Sequence, residues 1–150
     1  MASGDAPKTV LLRGQPIGLE GIAGGTITPG MFVVLDSDGK VDPAPANSST
    51  RWVARENEIV GKSINDNYSP DDTLLYWSCR PGDQVYALLN AGENVSAGAL
   101  LQVSSTAGVL GAHNPGNPGE SFPGNAVARA LEAVNNSGGA TPVRIRVEVL

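Results

Sequence analysis

The chain is 150 residues long, with 10 basic and 15 acidic side chains, a formal charge of -5 and only 17% charged residues. That length fits one domain able to bury a core without staples, and the sparse, net acidic charge excludes the basic footprint of a nucleic-acid binder. Nineteen glycines and 11 prolines interrupt the chain so often that short strands and turns are expected in place of ordinary helices.

The expected fold class is therefore mostly β: a compact β-barrel or β-sandwich-like domain over residues 15–150, with an extended N-terminal arm over residues 1–14 and at most one or two short helices. In the arm, the run Thr9-Val10-Leu11-Leu12 is the one apolar patch. Such a run either frays or adds a strand to a neighbour's open sheet edge. From Gly18 the chain carries a pattern that it writes twice, sixty-eight positions apart: Gly24, Ile27-Thr28, Gly30, Phe32-Val33 and Leu35 recur as Gly92, Val95-Ser96, Gly98, Leu100-Leu101 and Val103. Each copy (24–41 and 92–110) reads as a glycine-bounded turn, a short apolar strand and a closing turn, hence a β-hairpin unit. In the first copy Thr28-Pro29-Gly30 is a turn, residues 31–35 are a strand, and Asp38-Gly39 predicts a type I′ hairpin turn. Residues 42–50 read as a surface loop.

Residues 52–64 open with either a short helix or a strand; the pattern does not decide. Thr73 to Cys79 reads as a buried strand and Gln84 to Leu89 as another. After the second copy, residues 111–124 hold four glycines and three prolines and read as an exposed loop. Ala126 to Val134 has helical propensity, but the strict alternation of Val143-Arg144-Ile145-Arg146-Val147-Glu148-Val149 that follows favours an antiparallel pair of strands. Val143, Ile145, Val147 and Val149 would face the core, and Arg144, Arg146 and Glu148 would face water or a partner.

Chemistry-bearing residues are few. The single cysteine, Cys79, cannot form an internal disulfide and reads as a small core residue. The single histidine, His113, lies in the predicted loop, a poor place to hold a general base. One cysteine and one histidine do not make a zinc site. Asp36, Asp38 and Asp42 resemble the start of a calcium loop, but Asn47 stands where the bidentate glutamate belongs. Gly61-Lys62-Ser63 matches only the tail of a phosphate-binding loop, with Glu56 where the upstream glycine is required. Asp71-Asp72 falls in a turn. Trp52, Tyr68, Tyr76, Trp77 and Tyr86 read as core volume, with a carbohydrate platform as the alternative. No cofactor, metal or catalytic residue is expected, and the chain is not expected to be an enzyme. No apolar run approaches the roughly 20 residues of a membrane span, and the amino terminus lacks the pattern of a signal peptide, so the expectation is a protein made in a cytoplasm, with no membrane partner.

The order of these segments carries a resemblance: Lys8-Thr9-Val10-Leu11-Leu12, Ile27-Thr28-Pro29-Gly30 with its strand and Asp-Gly, Gly61-Lys62-Ser63-Ile64, Tyr68, Arg80-Pro81-Gly82-Asp83-Gln84-Val85-Tyr86-Ala87-Leu88-Leu89, and the closing Ala-rich to Val/Arg hairpin. Across nearly its whole length the chain resembles the head decoration, or cement, proteins of tailed phages, similar to the lambda type. The resemblance implies a structural virion protein on the outer surface of the expanded capsid. It would sit at three-fold or quasi-three-fold positions as a homotrimer, stabilise the shell, and have the major capsid protein as its partner. It also implies that Thr9, Val10, Leu11 and Leu12 form a capsid-binding arm. The alternative is a non-enzymatic adhesion or glycan-binding module on the virion surface.

Overall fold

The computed structural model describes residues 7–114 and 125–150. The described residues form thirteen short strands: β1 (Leu11–Arg13), β2 (Ile17–Ile22), β3 (Phe32–Leu35), β4 (Val41–Pro43), β5 (Trp52–Ala54), β6 (Thr73–Ser78), β7 (Gln84–Leu89), β8 (Asn94–Val95), β9 (Leu100–Val103), β10 (Leu110–Ala112), β11 (Ala128–Ala130), β12 (Val134–Asn135) and β13 (Val143–Val149). A 3-10 turn, Glu58–Val60, follows β5. The chain is mostly β, as its composition predicts.

Strands β7, β10, β9, β11 and β13 pair in that order, and β13 returns to β7, which closes a five-stranded barrel. β1 lies antiparallel on the outer edge of β7. The remaining strands form a five-stranded sheet in the order β2-β6-β5-β3-β4, and a parallel bridge from Val41 to Ala23 ties β4 back to the end of β2.

The two halves repeat one another strand for strand. β2, β6, β5, β3 and β4 correspond to β7, β13, β11, β9 and β10 in neighbour order, and the registers agree. Ile22 faces Thr73 as Leu88 faces Arg144. Ala54 faces Tyr76 as Ala130 faces Val147. Val33 faces Trp52 as Leu101 faces Ala128, and Leu35 faces Val41 as Val103 faces Leu110. Even the parallel closure recurs, with Ala23 on Val41 and Leu89 on Leu110. Both hairpins enter through the same turn: Met31 donates to the Thr28 carbonyl at 3.0 Å and Ala99 to that of Ser96 at 3.1 Å. Gly30 and Gly98 hold the third turn position at φ +98° and +86°, the left-handed region that a type II turn requires there.

Two cores follow from this arrangement. The barrel core gathers Val85, Ala87, Leu89, Leu101, Leu110, Ile145, Val147 and Val149, and also takes Phe32, Val53, Ile64 and Cys79 from the first half. A smaller cluster of Ile27, Val33, Val41, Leu74 and Tyr76 fills the first half alone.

Several local expectations are corrected. At Asp38-Gly39 only Gly39 has positive φ, so the turn is not type I′. Instead the Asp36 carboxylate accepts the amides of Asp38 and Lys40, each at 2.8 Å, and braces a wider turn. Asp42 and Pro43 belong to β4, and Ala44 is buried, so the expected surface loop begins later. Trp52–Ala54 opens its segment as a strand. Ala128–Ala130 pairs with β13, but the chain between them leaves the barrel so that Val134 can pair with Val95. Gly111 and Ala112 extend β10, and residues 115–124 of the expected loop lie outside the described residues.

Candidate interaction surface

Thr9, Val10, Leu11 and Leu12, expected either to fray or to pair with a neighbour's sheet edge, lie along this chain's own barrel. Val10 is fully buried in the barrel core. Its amide donates to Glu56 Oε2 at 2.9 Å, and its carbonyl accepts the Tyr86 amide at 2.8 Å. Leu11 stands opposite Val85, Leu11 and Leu12 are half-buried, and Thr9 is exposed. Glu56 is itself buried, so it holds the arm from below while β7 holds it from the side.

Arg144, expected to face water or a partner, lies half-buried against the first half. Alternation sends it outward beside Arg146, yet its guanidinium reaches across to the carbonyls of Pro29 and, at 2.7 Å, Ile64. Burial pulls its pKa below the ordinary arginine value, opposed by the negative charge of Glu56. Gly30 makes this approach feasible: a Cβ there would stand against the Arg144 guanidinium and 2.8 Å from the Tyr86 carbonyl oxygen. Arg51 ties the halves at the opposite side by donating to the carbonyls of Leu150 and Ala126. No local sequence signal marks Glu56 or Arg144, because both roles arise from contacts more than forty residues apart.

The other candidate residues are occupied by structure. Cys79 is buried, and burial together with the charge of Asp83 pushes its thiol up to about 12, so it is protonated at neutral pH. His113 Nδ1 lies 2.8 Å from Gln102 Oε1, which in turn shares an amide contact with Asn47 at 3.0 Å. Asp71 pairs with Lys40 at 2.6 Å, and Asp72 caps a turn through the Ser69 amide at 2.8 Å. The Asp36 carboxylate is spent on the turn described above. Tyr68 and Tyr76 are buried, Tyr76 packs on Trp52 at 5.5 Å between ring centres, and the Arg55 guanidinium lies 4.3 Å over the Trp77 ring.

Most of the exposed large apolar residues lie in the first half, with Leu100 at 39% in the second. Ile17 and Ile22 at the two ends of β2 are 51% and 41% exposed, and Ile59 and Val60 on the 3-10 turn are 78% and 63% exposed. A surface cleft of about 190 Å³ is lined by Asn57, Val60, Lys62, Tyr68, Asp72 and Thr73. Among the described residues no helix is long and apolar enough to cross a membrane.

No protein family and no curated protein matches the chain. A solved structure does. The crystal structure of head fiber gp8.5 N base in bacteriophage phi29 aligns over 91% of this chain and 95% of that one, with a TM-score of 0.54 and 10% sequence identity. The likeness is one of fold, and it runs through both halves.

Proposed function

We propose that the chain is a structural protein of a phage virion, carried on the outer surface of the head, with no catalytic role. The observation that carries this reading is the alignment along nearly the full length of both chains with a phage head-fibre base. A fold match confined to one five-stranded unit would say far less. The chemistry of the surface agrees: Asp36, Asp71, Asp72, Cys79 and His113 are engaged in turns, an ion pair and packing.

In this reading the chain binds the major capsid protein of the expanded shell at three-fold or quasi-three-fold positions, as a homotrimer, and stabilises that shell. Any ligand that prefers the expanded lattice stabilises it by mass action, and three linked copies strengthen each modest contact. Val10 anchors β1, while exposed Thr9 and the uncovered parts of half-buried Leu11 and Leu12 meet the shell. Co-sedimentation with expanded capsids lacking the protein, alongside unexpanded procapsids, tests the reading. Binding restricted to expanded shells, saturating at three copies per three-fold position and raising their rupture temperature, is the expected result. Failure to bind either shell overturns it.

A further inference from the structure

The two halves share one ladder, yet their first strands end differently. In the barrel the outer edge of β7 is covered by β1, whose Val10 carbonyl accepts the Tyr86 amide. The equivalent strand, β2, ends its sheet among the described residues, and a backbone bond on its outer side comes beyond its last residue, where Gly24 donates to the Val41 carbonyl at 2.8 Å. The barrel has the same closing bond, from Asn90 to Leu110, also at 2.8 Å. Alternation along a strand puts the amides of Gly18, Glu20 and Ile22 on the same outer side as that of Gly24. Glu20 is thus the counterpart of Tyr86, and among the described residues no strand covers it.

We propose that the outer edge of β2 is a strand-addition site that receives an extended, basic and apolar segment of another polypeptide in the antiparallel sense in which β1 covers β7. The fold itself shows what such an edge accepts: Lys8-Thr9-Val10-Leu11-Leu12-Arg13, cationic at both ends and apolar between. Laid on β2 in that register, the Val10 carbonyl meets the Glu20 amide and the lysine falls toward the far end of the strand. That end is acidic: Asp72 and Asp71 bond to Ala23 through their backbones, and Asp42 lies against Gly24. Glu20, Asp42, Asp71 and Asp72 there outnumber Lys40 and Lys62. Ile17 and Ile22 flank the edge with apolar surface, and Thr73, directly opposite Ile22, opens onto the cleft beneath Val60.

That cleft belongs to the first half alone. Thirteen residues separate Ala54 from Tyr68, where three separate the equivalent Ala130 from Val134, and the added residues carry the exposed Ile59 and Val60. A second copy of this chain fits the edge poorly. The antiparallel register that engages Gly18, Glu20 and Ile22 together sets Glu20 opposite Glu20, and like charges directly opposite destabilise a strand pair. Backbone bonds along the edge supply attachment and side-chain pockets supply selection, as in other strand-addition sites. On the virion reading the donor is a capsid subunit; the chemistry of the edge does not depend on that identity.

The test is a titration of the ¹⁵N-labelled protein with a synthetic peptide of sequence Pro-Lys-Thr-Val-Leu-Leu-Arg. Shift changes at the amides of Gly18, Glu20 and Ile22 are expected, with affinity falling at least tenfold in Glu20→Pro and also falling in Glu20→Lys. The proline removes an outward amide without breaking the ladder to β6, a substitution that edge strands tolerate. Changes at Tyr86 in place of β2, no binding at millimolar peptide, or self-association through β2 overturns the proposal. The same Glu20→Pro variant co-sedimented with shells separates the two readings: undiminished binding removes β2 from the attachment and leaves the virion role intact.

Discussion

The first and second halves of this molecule have the same strand order, the same registers and the same entry turn, but they are finished differently. The second half is a closed barrel with a core of large aliphatic residues, an arm pinned along β7 and a cation drawn from β13 into the contact with its twin. The first half has a smaller core, a β2 that no strand covers among the described residues, and an inserted apolar turn over a cleft. Duplication supplies two equal frames; departures from equality mark where each frame has acquired a task. The barrel serves as scaffold and the first half carries the accessible features.

The sharpest way to break that comparison is to make one change at equivalent positions. Gly30 and Gly98 occupy the same turn with positive φ, but only Gly30 is crowded, by Arg144 and the Tyr86 carbonyl. Gly98→Ala is expected to cost about 1 kcal/mol in urea unfolding, the backbone penalty alone. Gly30→Ala adds displacement of a half-buried guanidinium, and its expected cost is about 3 kcal/mol or more. Equal costs would show that the halves do not press on one another at this point.

A second comparison lies within β13. Arg144 and Arg146 are two residues apart in an alternating strand, so sequence reasoning assigns them one face. Arg144→Met is expected to lose about 2–4 kcal/mol, because the Pro29 and Ile64 carbonyls lose a charged donor. Arg146 is half-exposed and pairs with Glu132 at 3.2 Å, so Arg146→Met is expected to change stability by about 0.5 kcal/mol or less. Thermal or urea melts of both variants decide it.

How much of this was legible follows from where each signal resides. The alternation of residues 143–149 and the apolar run of 84–89 are local, and both strands form where their patterns place them. The hairpins β3–β4 and β9–β10 lie sixty-eight to sixty-nine positions apart, close to a fixed period. Their flanking strands correspond at sixty-six, seventy-one and seventy-six positions, because insertions such as the one before Tyr68 shift the count. A fixed-period search therefore sees two hairpins and not two complete units. The fate of Thr9 to Leu12 was not legible either: an apolar run announces that it will be covered, but the buried Glu56 that accepts its amide is forty-six residues away.

The arm allows a third, smaller test. Val10→Ala removes buried methyl groups and loosens β1 from β7, with an expected cost of about 1–2 kcal/mol. Leu12→Ala, at a half-buried position, is expected to cost less than half as much in the same melts. A larger effect at Leu12 would reverse the assignment of the anchor.

At neutral pH the smallest effect concerns Cys79, which the first half lends to the barrel core. Its folded pKa of about 12 stands above the ordinary value of 9.0. The stability it contributes is therefore complete below pH 9 and is lost as pH rises toward 12, where the unfolded thiol ionises and the folded one does not. Thiol labelling of the native protein is expected to follow the unfolding rate, and Cys79→Ala to flatten the alkaline limb of the stability curve. Rapid native labelling at pH 8 would contradict the buried placement.

The central claim is that two equal ladders differ in one edge, covered in the barrel and open in its twin. Native-state amide hydrogen exchange at Tyr86 and Glu20 tests it most directly, because the two amides hold equivalent places in the two ladders and the Tyr86 amide alone has the Val10 carbonyl as acceptor among the described residues. The account predicts strong protection at Tyr86 and exchange near the rate of an unstructured peptide at Glu20. Equal protection at both positions would contradict it.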